Sequence, residues 1–150
     1  MRNTIIIALI SLAILGCKKD QFTTNPQLEY KKVNSTFIPR DAVMQITLHF
    51  TDAEGDLPGK LFIQRRSNYC PDDTIFQETS LLPEFPTTKN TEGDIIVSYS
   101  NGLVPGYFPM SDVPSICADT TLCYFRFVLE DKAGNRSDTI SSEDIAISKF

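Results

Sequence analysis

The residues best equipped for chemistry in this chain are carboxylates gathered in short turns. Asp52, Glu54 and Asp56 alternate in TDAEGD, Glu92 and Asp94 close TTKNTEGD, and Glu130 and Asp131 open EDKAGN. Converging carboxylates repel one another unless a cation or a basic side chain sits among them, and Ca2+ takes roughly six to eight oxygen ligands. A calcium site drawn from Asp52, Glu54, Asp56, Asp94 and Asp131 is therefore one expectation. The spacing is not that of an EF-hand loop, because Gly55 precedes the third acid and Ile63 stands where that loop needs a bidentate Glu. The competing expectation is turn chemistry: Asp bonds to nearby backbone and Gly reaches positive φ, so each acidic triplet can be punctuation alone.

Other reactive types are sparse. The sole histidine, His49, falls on the polar face of an alternating segment, and no Ser–His or Cys–His arrangement can be built without it. Nothing marks a cleft in which two carboxylates could work as glycosidase acids, so catalysis is not expected. Beyond Cys17 lie Cys70, Cys117 and Cys123. Cys117 and Cys123 can close CADTTLC through its Asp119 and Thr120 turn, and Cys70 with Cys123 is the competing bridge. Residues 100–116, SNGLVPGYFPMSDVPSI, form a long Pro- and Gly-containing connection with Tyr107 and Phe108. These aromatics either contact a sugar or protein partner, or fold back over the end of the domain.

The elements that must position these groups are strands. AVMQITLHFTD (42–52) alternates Ile46, Leu48 and Phe50 with Gln45, Thr47 and His49, and LCYFRFVLED (122–131) alternates Cys123, Phe125, Phe127 and Leu129 with Leu122, Tyr124, Arg126 and Val128. KLFIQRR (60–66), DIIVSYS (94–100) and IAISKF (145–150) read as strands too, with weaker ones near 30–38 and 74–82. No stretch carries a helical period. An all-β domain follows: a single immunoglobulin-like or fibronectin III-like antiparallel β-sandwich of about seven strands. Antiparallel strands alternate direction, so the loops after the second, fourth and sixth strands share one pole. All three acidic loops then meet there, and the three later cysteines fall at the other end.

The N-terminus carries an address. Arg2 precedes IIIALISLAILG (5–16), an apolar run too short to span a bilayer and suited to a secretory signal. ILGC (14–17) resembles the lipobox of bacterial lipoproteins, with Ile14 where leucine is usual. That resemblance implies a signal peptide over 1–16, a lipidated Cys17 and a flexible tether over 17–30, ahead of the sandwich at 31–150. Several acyl chains on one cysteine suffice for stable anchoring. KKDQ after the cysteine resembles the short charged signal that sends Bacteroidetes lipoproteins to the cell surface. Loss of Arg2 with the signal leaves 13 basic against 19 acidic residues, a net charge of −6. An acidic chain without a basic stripe argues against nucleic acid as a partner class.

ITLHFTDAEGDL and FRFVLEDKAGNRSDTI are similar to two signatures of Bacteroidetes lipoproteins that carry an immunoglobulin-like domain. The similarity spans most of residues 42–147. It implies a non-catalytic envelope module, anchored in the outer membrane by its lipid, that contacts a glycan or envelope protein through its loops. The alternative is a structural accessory of an outer-membrane complex with no ligand of its own.

Overall fold

The structure, a computed structural model, describes residues 23–67, 69, 76, 78–113 and 122–149. Its strands arise where apolar residues recur at every second position. In β3 (Val43–Asp52), Met44, Ile46, Leu48 and Phe50 are buried while Gln45, Thr47 and His49 face outward. In β8 (Leu122–Glu130), Cys123, Phe125, Phe127 and Leu129 form the buried row. A strand with one apolar face needs a second layer to cover it, and two sheets supply each other's cover.

The first sheet runs β1 (Gln27–Val33), β3, β6 (Thr91–Ser100) and β7 (Phe108–Pro109). The second runs β2 (Phe37–Ile38), β10 (Ile145–Ile147), β8, β4 (Lys60–Arg66) and β5 (Glu78–Leu81), with β9 (Ile140–Ser141) also paired to β8. β1–β3–β6 facing β10–β8–β4–β5 is the order of an immunoglobulin-like sandwich. These seven strands carry the fold, and β2, β7 and β9 add two residues each. The pairings are antiparallel except for β2 with β10 and β7 with β6.

Two details depart from the sequence expectation. β1 opens at Gln27, inside the segment read as tether, because Gln27 and Leu28 find Thr51 and Phe50 on β3. The last strand is broken: β9 and β10 pair with different parts of β8, and the Ser142 hydroxyl between them accepts a 2.9 Å bond from the Phe125 amide. The core between the sheets is aromatic at its centre. Phe125 is stacked on Tyr99 at 6.1 Å and on Phe127 at 6.4 Å. Among the described residues no helix is long and apolar enough to cross a membrane.

Candidate functional site

The sheet registers bring three loops to one pole. β3 ends at Asp52 opposite Thr91, where β6 begins, and β4 opens at Lys60 opposite Glu130, where β8 ends. The loops are then bonded to each other. Thr87 Oγ1 donates to the Gly55 carbonyl at 2.6 Å, Asn90 N to Ala53 O at 3.1 Å, and Lys132 N to Asp56 O at 3.4 Å. Gly55 has φ +72°, and a Cβ there would overlap the Thr88 carbonyl, so only glycine fits this junction.

Three carboxylates converge where these loops meet. Asp52, Asp56 and Asp131 each offer an oxygen within 4.8 Å of the others. Asp52 is fully buried, and its Oδ2 accepts the amides of Gly55 at 2.7 Å and Asp56 at 3.1 Å. Asp131 is almost as buried and holds its own turn, accepting Asn135 N at 2.8 Å and Asn135 Nδ2 at 2.9 Å. Turn chemistry thus uses part of each carboxylate's capacity, yet Asp52 Oδ1 and Asp56 Oδ1 remain buried without a hydrogen-bond partner. Burial, with the charges of Asp131 and Asp52 beside it, pushes the Asp56 carboxyl above its ordinary range.

Three basic side chains near this pole, Arg136, Lys60 and Lys132, are engaged elsewhere. Arg136 Nε and Lys60 Nζ lie 2.7 and 3.2 Å from the Glu130 carboxylate, and Lys132 Nζ lies 3.2 Å from Glu84. No ion pair among the described residues reaches Asp52, Asp56 or Asp131. The bond from Arg136, then that from Lys60, holds the Glu130 carboxyl below its ordinary value of 4.5. A carboxylate held low stabilises the fold above its unfolded value, and that support is lost as pH falls through its lowered folded value. Glu130→Gln should therefore lower the urea midpoint at neutral pH, with the gap to the parent closing in acid. A gap that does not change with pH would remove the ion pairs as its cause.

The other two expected ligands stand apart. Glu54 is exposed at the tip of its turn. Asp94 sits three rungs up the ladder, opposite His49, with its Oδ1 2.9 Å from His49 Nδ1 on the outer face of the first sheet. No hydroxyl or thiol among the described residues bonds to that histidine.

The opposite pole carries the aromatic loop, which folds back over the end of the domain through some residues and leaves its aromatic pair exposed. Met110 and Val113 are buried and close the end of the sandwich, while Phe108 is 74% and Tyr107 42% exposed. Tyr107 and Phe108 border an apolar groove of about 480 Å³ between the edges of β5 and β6, with Leu81, Phe85 and Ile96. Cys123 lies at this end of the core, where burial pushes its thiol up to about 11 against the opposing pull of Arg65. Cys17, Cys70 and Cys117 lie outside the described residues, and with them the lipid attachment and either disulfide pairing.

What the sequence concealed is the burial of Asp52 and the role of Asn135. The signal for the second was present, since Asp131 and Asn135 stand four apart across a Gly turn. Comparison with known proteins yields no matching family model, and no curated protein or solved structure matches significantly.

Proposed function

We propose that this protein is a lipid-anchored, non-catalytic binding module of the bacterial cell envelope, held at the outer membrane through Cys17. In this it resembles the Bacteroidetes lipoproteins with an immunoglobulin-like domain. Its loops contact a glycan or an envelope protein, and Tyr107 and Phe108 lead that contact.

The observation that carries this reading is the direction from which the chain reaches the sandwich. Ala53 N donates to Thr23 O at 3.4 Å and Gln27 pairs with Thr51, so the N-terminal segment arrives at the acidic pole. Thr23 is six residues after Cys17, a reach of at most about 22 Å of extended chain. An anchor at Cys17 keeps the acidic pole near the bilayer. The ten residues of β3 then carry the opposite pole about 33 Å further out. Phe108 and Tyr107 are exposed near that end and accessible to a partner. Aromatic rings on a fixed loop suit both sugar stacking and protein contact.

Cell fractionation tests the anchor: Cys17→Ala should move the protein from the membrane to the soluble fraction, and retention would refute it. The binding face is tested on the anchored protein with isolated envelope polysaccharide and with crosslinking to envelope proteins. Tyr107→Ala with Phe108→Ala should leave the melting midpoint close to the parent's, since neither ring belongs to the buried core, and reduce capture at least about tenfold. Undiminished capture of both kinds would discard this face.

A further inference from the structure

We propose that Asp52, Asp56 and Asp131 form a divalent-cation site, with Ca2+ the ion that fits, clamping the loop between β3 and β4 to the turn that follows β8. This goes beyond the binding-module reading and does not depend on the lipid anchor.

Proximity of acids is not the argument, since exposed turns collect acids without binding anything. What points to an ion is the set of oxygens left over after the turns are made. Asp52 is fully buried, and its Oδ2 satisfies two loop amides, but its Oδ1 has no partner. Asp56 Oδ1 is likewise buried and unpartnered, from the other side of the same turn. A buried acceptor with no donor is strongly unfavourable, and buried anionic oxygens side by side are more so. Protein structures remove that penalty with a proton, a basic side chain or a metal. Lys60, Arg136 and Lys132 are spent on Glu130 and Glu84, and Lys89, in the adjoining loop, forms no ion pair with the three carboxylates.

The donor set selects the ion. All three ligands are carboxylates, with no histidine or cysteine in the group, which suits a hard cation over zinc or copper. Ligands at about 2.4 Å from Ca2+ lie at most about 4.8 Å apart, a span that the three oxygens already satisfy. Mg2+ demands near-ideal octahedral geometry at about 2.1 Å and gives up its water reluctantly, so a cluster of three carboxylates suits it less well. Asp131 can join although it holds Asn135, because a carboxylate oxygen that accepts one N–H keeps a second lone pair. Three negative charges against two positive leave the site only singly charged. Its open side at half-buried Asp56 gives water access to complete the shell.

The test is a thermal melt of the full chain in chelator and in about 10 mM CaCl2, at ionic strength matched with KCl. For an affinity in the range of extracellular calcium modules, the midpoint should rise by about 5 °C or more. Asp56→Asn should melt at or above the parent in chelator, because it removes one of three crowded charges, and should lose the calcium shift. Asp94→Asn, outside the group, should keep it. No shift in the parent, an equal shift with KCl alone, a shift that survives Asp56→Asn, or one that vanishes in Asp94→Asn would each overturn the assignment.

Discussion

Phe125→Ala should lower the free energy of unfolding by about 3–5 kcal/mol, read as a fall in the urea midpoint with an unchanged slope. Phe125 is fully buried at the middle of β8, and both flanking rings depend on it. Tyr99 stacks on it from the opposite sheet and Phe127 stacks on it along its own strand. Tyr99 is not free to swing into the gap, because its hydroxyl donates to Glu78 Oε2 at 2.7 Å. Phe127 is fixed by the ladder to Ile63. The site therefore cannot collapse, and the cavity cost adds to the lost burial. Domains hold only about 5–15 kcal/mol in reserve, so this one ring accounts for a large share. A loss below about 2 kcal/mol would show that the neighbours do close over the gap.

Gly59→Ala should cost about 3 kcal/mol or more, although it adds a single methyl group. Gly59 precedes β4, and its backbone lies flat against the end of β8. A Cβ there would overlap the carbonyl oxygen of Glu130 and crowd the Asp131 Cα. These are main-chain atoms, which cannot rotate aside as a side-chain tip would. The adjacent rung, Lys60 with Glu130, must open or the β8 turn must shift. Either response moves Asp131 away from Asp52 and Asp56, so whatever folded protein remains should also respond less to calcium. Chemical unfolding measures the first effect and the chelator-to-calcium melt the second. A variant within about 1 kcal/mol of the parent would mean that this end of the β4–β8 pair is slack.

Both positions bear on what could be read without coordinates. The inward row Cys123, Phe125, Phe127, Leu129 was legible because strand periodicity is local, and KLFIQRR matches β4 at both ends. The gathering of the acidic loops at one pole was legible too, since it follows from strands alternating in direction. Which acids meet was not. That depends on register, and register puts Asp94 opposite His49 while it leaves Asp52 at the ladder's end beside the loops. Asp52 and Glu54 look equivalent in TDAEGD. One is fully buried and the other exposed because the turn at Gly55 folds against Thr87 and Thr88. A weak strand was expected from about residue 30, but its start at Gln27 was missed because QLEYKKV buries no residue completely and so lacks a clear apolar face.

The position of β1 also decides how the domain bears load. A pull between Cys17 and anything held at Phe108 runs along the length of β1, which starts at the acidic pole and ends near the other. Its rungs, from Gln27 with Thr51 to Val33 with Ile46, are then strained together in shear instead of opening one after another like a zip. The neighbouring ladder of β3 with β6 shares that load through its own ten rungs. Rupture must break many hydrogen bonds in one event, so the domain is built to stay folded under a pull along its strands.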